Sequence, residues 1–433
     1  MKTQYWCTLL VSSLLPISAL AKEPPLNKVF HVDLRDPSKY PSSCLPVADK
    51  LKTIWTQIHE TMEYTVKSLK AEEYNKPKNI RTRRLLSAYF GILFKVVSDR
   101  DGYDYSEADA AREPILSSEN EKLYVKQNFN DLHKIINKER SKDSSKPKIM
   151  CGAQSLEWQR ADDYVKDKKG KPIPKDPKNP KGEKWKLKEW EVKHERPFDT
   201  NWYFWYTFGT EIGYIVVTHN GYPPASGVNA PWKLDPRTGK PSPCAEGKAG
   251  TTLTSLVRDK DDESAPWADP DWVILCPDSF TTRQLTLPSS APSEGAGLNT
   301  MDIAALTFFH ELFHVANIDM FDEDLIIPLP GKPLTEKTHF MKGVGPGLGA
   351  RSCMVLSKYE MAKPANAWDD PLTTENAESY AWMAHTLWLS KKYDRDFSTG
   401  VCRKDSIGTS TQVAQSTRKA RSTKSRRSVP TEV

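Results

Sequence analysis

Between Thr300 and Ala316 the chain reads as one apolar run, yet its second half carries His310, Glu311 and His314. Ala304, Ala305, Phe308, Leu312 and Val315 recur at helical spacing and predict a buried helix. Asn299 or Thr300 suits its N-cap, and Asp302 suits the positive end of its dipole. Residues four apart on a helix stack on the same face, so His310 and His314 can point at one ion. Glu311 lies one step round and can reach a water activated by that ion. The pentapeptide His310-Glu311-Leu312-Phe313-His314 thus fits the HExxH pattern of a zinc site with a glutamate base. Two imidazoles and a carboxylate in so apolar a helix would be costly without a partner, and Zn2+ is the expected one.

A catalytic zinc needs three protein ligands and an open position. Asp319, Asp322 and Asp324 follow the helix closely. If Asn317 ends it with a left-handed turn, Asp319 is the first carboxylate able to fold back. Asp319 is therefore the expected third ligand, with Asp322, Asp324 and Glu378 as alternatives. His339 and His385 are remoter options, since a lone histidine usually plays a structural part.

The N-terminus reads as a secretory signal over residues 1–21. Lys2 gives a positive start, Leu9-Leu10-Val11 and Leu14-Leu15 an apolar centre, and Ala19-Leu20-Ala21 a cleavage site. That run is too short and interrupted to span a membrane, and no later segment is apolar enough. Beyond the signal, Cys44, Cys151, Cys244, Cys276, Cys353 and Cys402 make an even set. In a secreted chain they predict three disulfides of undetermined pairing. The net charge of +6 resides in residues 403–433, where eight Lys/Arg face Asp405 and Glu432. That tail is predicted to be disordered and solvated, so no nucleic-acid partner is expected.

The body, residues 22–402, reads as helices first. Helical periodicity marks 45–72, 80–98 and 118–139. A Lys/Pro-rich stretch near 163–196 reads as a solvated loop or insertion. Strand-like segments follow at Trp202 to Phe208, Ile212 to Val217 and Trp272 to Leu275. After the HELFH helix come a Pro/Gly-rich connection over about 325–349 and a last helix from about Asn376 to Lys391. The order predicts an α+β fold with a helix-rich N-terminal part and a small sheet.

Three further segments point the same way. Ile274-Leu275-Cys276-Pro277 with Phe280 precedes the HELFH helix. Asn376-Ala377-Glu378-Ser379-Tyr380-Ala381 follows it, and Tyr89-Phe90-Gly91 closes an N-terminal helix. With HELFH they resemble a zincin metallopeptidase, most closely the fungal aspzincins, the deuterolysin and peptidyl-lysine metallo-endopeptidase group. The resemblance spans roughly residues 45–395, patchily. It implies a zincin-like fold, a secreted zinc endopeptidase acting on proteins or peptides, and Glu378 as a residue bonded to a ligand imidazole. The chain departs from the aspzincins in one respect. Their Gly-Thr-x-Asp-x-x-Tyr-Gly motif, which supplies the third ligand and an oxyanion phenol, is missing. Residues 343–349 have neither Asp nor Tyr. The departure raises the alternative of a secreted zinc-binding protein without peptidase activity, whereas the intact Glu311 favours the enzyme. Tyr380 is expected to pack rather than replace the phenol. The protein is expected to be monomeric.

Overall fold

The computed structural model describes residues 23–70, 80–92, 97–99, 102–104, 118–142, 145–195, 201–208, 211–218, 242–245, 248–253, 271–317, 319–333, 336–362 and 373–404. The expected signal segment and nearly all of the basic tail lie outside them.

Among the described residues the fold is mixed, with helices and several small sheets. Elements are numbered in chain order. A short helix α1 (Leu26–Val29) and strand β1 (His31–Val32) precede α2 (Ala48–Ser68). Helix α3 (Ile80–Phe90) is followed by a two-stranded pair, β2 (Val97–Asp99) and β3 (Gly102–Asp104), and then by α4 (Ser118–Asn137). Pro46 shortens the first expected helix, because residues 45–47 form a 3-10 turn before α2. The second stops at Phe90 rather than running on to 98. Gly91 takes a φ of +66°, where a Cβ would lie 3.0 Å from Met361 Cγ. A left-handed, crowded position of this kind requires glycine.

The main sheet has the order β1-β4-β9-β8, with β4 (Lys148–Met150), β8 (Gly250–Leu253) and β9 (Trp272–Leu275). The first three strands are parallel, and β8 runs antiparallel along β9 at the edge. All four residues of β9 are buried, as expected for an apolar strand covered on both faces. A second sheet joins β5 (Leu156–Gln159), β6 (Asn201–Phe208) and β7 (Glu211–Thr218) as an antiparallel meander.

The Lys/Pro-rich stretch is not simply a solvated loop. Val165 N–H donates to Trp185 O, Ile173 N–H to Val165 O and Trp185 N–H to Ile173 O, at 3.0, 2.8 and 3.0 Å. Three extended pieces thereby close a ring of backbone bonds, and α5 (Leu187–Lys193) completes the excursion. Val165, Leu187 and Trp190 join Tyr203, Tyr214 and Val216 in a small core. Lys193 Nζ lies 4.6 Å from the Trp185 ring centre, and Lys175 Nζ 5.4 Å from it. The lysine stems therefore cover aromatic faces while their charges stay in water.

After α6 (Pro277–Thr281), helix α7 (Ala304–Ala316) carries the HELFH segment. Its N-cap is Ile303 rather than Asn299 or Thr300, which belong to a 3-10 turn at Leu298–Met301. The supposed connection over 325–349 contains a hairpin, β10 (Asp324–Pro328) with β11 (Phe340–Pro346). An unanticipated helix α8 (Ala350–Ala362) leads to α9 (Ala377–Tyr393). Two short strands, β12 (Arg395–Asp396) and β13 (Arg403–Lys404), form a last pair. The largest core cluster joins α2, α3, α4, α7 and α9, and Phe308, Leu312 and Phe313 of α7 are almost fully enclosed. Each such side chain contributes about 1.5–3 kcal/mol by leaving water, which fixes the orientation of the polar residues on the same helix.

Two disulfides form, Cys44–Cys151 and Cys244–Cys276. The third expected bridge does not, because Cys353 and Cys402 are free and buried. Cys353 Sγ lies 3.9 Å from Asn376 Nδ2, and Cys402 Sγ 3.6 Å from Pro292 O. No helix among the described residues is long and apolar enough to cross a membrane.

Candidate metal centre

His310 and His314 lie one turn apart on α7, with their Nε2 atoms 3.1 Å from each other. Asp322 Oδ1 is 2.9 Å from His310 Nε2 and 3.4 Å from His314 Nε2. Bonds of about 2.0–2.1 Å to a tetrahedral zinc would set its ligand atoms roughly 3.3 Å apart. The three atoms therefore already stand at the mutual spacing of a shared ion, and the group can hold a metal.

Both imidazoles are oriented from behind. His314 Nδ1 is 3.0 Å from Met320 O, and a carbonyl only accepts, so Nδ1 carries the proton. His310 Nδ1 donates to Glu378 Oε2 at 2.7 Å. In the neutral rings each Nε2 is then a bare lone pair aimed at the other and at a carboxylate oxygen. Three electron-rich atoms in contact call for a cation between them. Without an ion a proton on His310 takes that place: burial disfavours the charged ring, but Asp322 and Glu378 outweigh it and raise its pKa well above 6.5, and a bound cation would displace that proton. Asp322 loses water only on the side facing the histidines, which pushes its pKa up, yet the imidazoles, His310 foremost, hold it well below the ordinary carboxylate value. The residues thus fit a small divalent cation, with the N,N,O donor set that zinc accepts.

Glu378 sits in the first turn of α9 and is fixed at both oxygens. Its Oε1 accepts Gly349 N–H at 2.7 Å and Trp382 Nε1–H at 2.8 Å. Although burial opposes ionisation, the bond to His310 and these donors lower its pKa. Gly349 has a φ of +93°, a conformation that side-chain-bearing residues rarely adopt. This carboxylate–imidazole pairing fixes the tautomer and raises the basicity of a ligand histidine. Glu378 thus bonds to one of the two histidines of the HELFH segment.

The expected third ligand, Asp319, is not in the group. Asn317 is extended at the helix end, with φ −145° and ψ 115°, so the left-handed turn does not form. Asp319 is exposed, and its N–H bonds to Asn317 Oδ1. The chain instead turns through Met320, and Phe321 pairs with the start of α9. Phe321 N–H donates to Glu375 O at 2.7 Å, and Ala377 N–H to Phe321 O at 3.2 Å. Pinning Phe321 delivers the next residue, Asp322, to the histidines. Asp324 begins β10, and its side chain lies outside the described residues. His339 donates to Pro333 O and His385 to Met301 O, both apart from the centre. Tyr380 is buried, its hydroxyl held by Thr374 O and Asn128, and its ring packs 5.0 Å from Phe313.

Glu311, the next residue along α7, is almost fully buried. Burial raises its pKa above 4.5, while His310 and His314 partly offset that rise. Its Oε2 lies 2.8 Å from the Thr252 hydroxyl on β8. One side of the centre remains open. Asp322 keeps 46% of its side chain exposed, against 8% for His310 and 17% for His314.

Sequence reasoning had no access to the Met320 carbonyl, the Gly349 amide or Thr252, which come together only in the fold. Trp382 was legible in principle, being four residues beyond Glu378 on the same helical face. Comparison with family models, with curated proteins and with solved structures returns no match for this chain.

Proposed function

We propose that this protein is a secreted zinc-dependent endopeptidase of the aspzincin-like zincin type, with His310, His314 and Asp322 as metal ligands and Glu311 as general base. The observation that carries the reading is the convergence of three lone-pair donors at 2.9 to 3.4 Å, with a buried glutamate next to one of them. A site for zinc capture alone has no use for that glutamate. When bound, zinc supplies Lewis acidity, polarising a scissile carbonyl and acidifying the attacking water.

The chain's own groups do the rest. Glu311, whose pKa burial raises above 4.5, takes the proton from the attacking water and passes it to the leaving amide nitrogen. Glu378 keeps His310 in the tautomer that presents Nε2. The exposed flank of Asp322 leaves room for substrate. Strand β8 has one sheet neighbour among the described residues and passes over Glu311. An extended peptide adding to that edge would run beside the base. Two disulfides and the N-terminal signal pattern support an extracellular setting.

Glu311→Gln tests this directly. The variant should retain zinc and cleave labelled casein about 100- to 10,000-fold more slowly, as expected for a lost general base. Cleavage at the parental rate would refute the mechanism. Stoichiometric zinc with no turnover in the parent would favour the zinc-binding alternative.

A further inference from the structure

Strand β8 does more than border the centre. Gly250 and Thr252 lie two apart on one strand and so face the same way, toward α7. Thr252 Oγ1 is 2.8 Å from Glu311 Oε2 and 3.0 Å from the Glu311 carbonyl oxygen. One hydroxyl proton is thus shared between the carboxylate, its nearer acceptor, and the Glu311 backbone carbonyl. On the other side, a Cβ at Gly250 would lie 2.9 Å from Glu311 Oε1 and 2.9 Å from Thr307 Cγ2. Such approaches are closer than any real Cβ contact, so only glycine lets Oε1 occupy its place. The strand is locked in register by Gly250 opposite Leu275 and Thr252 opposite Val273. The cradle is therefore as rigid as the buried strand behind it.

We propose that Gly250 and Thr252 are positioning residues that hold the Glu311 carboxylate in the one orientation from which it can serve as base. The proposal deepens the peptidase reading and rests on it for its catalytic meaning. It also makes β8 a joint element: the strand whose edge would take the substrate is the one that aims the base.

The test uses the full zinc-loaded protein. Thr252→Val keeps the shape of the side chain and removes the hydroxyl, whereas Thr252→Ser keeps the hydroxyl. With labelled casein, Thr252→Val should lose on the order of 10- to 100-fold in kcat with zinc content and KM unchanged, the size expected for a misplaced catalytic group. Thr252→Ser should restore most of the rate, and Gly250→Ala should behave like Thr252→Val. Crystal structures of the zinc-loaded variants give a readout independent of turnover. The Glu311 carboxylate should leave its place in Thr252→Val and Gly250→Ala and keep it in Thr252→Ser. Parental kcat and an unmoved carboxylate in Thr252→Val would overturn the proposal while leaving the peptidase intact. If the parent protein cleaves nothing, the peptidase reading falls, and the carboxylate position alone decides whether the cradle exists.

Discussion

The metal-bearing helices and the lysine-rich excursion reach order by opposite routes. Around α7 and α9 the chain is apolar at helical spacing, and its few buried polar groups bond to one another. His310, Glu378, Gly349 and Trp382 form one connected chain of hydrogen bonds. In the excursion the composition is that of a solvated loop, and order comes from a backbone ring with lysine stems on tryptophan faces. Ordered structure therefore does not certify a functional site. The site is marked by several buried charges converging on one point, whereas the excursion buries Glu191 alone among its described charged residues and binds it to the Tyr203 hydroxyl.

The largest effect expected from breaking this contrast is on metal affinity. Glu378→Gln removes the charge behind His310 while keeping the shape, and zinc affinity should fall about 10- to 100-fold. Competition with a chelating dye measures it. An unchanged affinity would mean that the imidazole needs no orienting carboxylate. The mirror experiment is Trp185→Ala. Its loss should cost less than the roughly 3–5 kcal/mol of a fully buried aromatic, because Trp185 is only half-buried against its small core. Amide exchange should then rise across 163–190 while zinc affinity stays at the parental value. A drop in affinity would show that the two regions are coupled.

Acid sensitivity offers a finer distinction. Burial lowers the pKa of His59 to about 4 from 6.5, so the folded state keeps it neutral. The folded protein then binds fewer protons than the unfolded chain between those values. The contribution of His59 is complete above pH 6.5 and is lost as pH falls toward 4. His59→Phe keeps a ring beside Trp55 and removes this titration. Urea midpoints measured from pH 7 to pH 4 should decline less steeply in the variant than in the parent. Parallel declines would remove His59 from the acid response.

How much was legible beforehand follows the same divide. Helices α2, α3, α4, α7 and α9 were, though not α5 or α8, because their periodicity survives in residues such as Leu51, Ile54, Trp55 and Ile58 or Phe308 and Leu312. The histidine pair and Glu311 were, because one helical turn fixes their geometry. Asp322 could not be told from Asp319, since the choice depends on Asn317 staying extended and on Phe321 pairing with Asn376. Neither is a local property. The hairpin of β10 and β11 was hidden by Pro328, Pro330 and Gly331, and the excursion by its lysines. Alternation at Val165, Ile173 and Trp185 was present but broken by turns too short for a periodic signal. Of the six cysteines expected to form three bridges, Cys353 and Cys402 proved to be free, buried thiols.

The central claim is that this centre is closed by Asp322. Zinc content per chain, measured by elemental analysis after dialysis against buffered nanomolar zinc, tests it in two parallel variants. The parent and Asp319→Ala should each retain about one zinc ion per chain, while Asp322→Ala should retain far less. Loss of zinc in Asp319→Ala with retention in Asp322→Ala would contradict it.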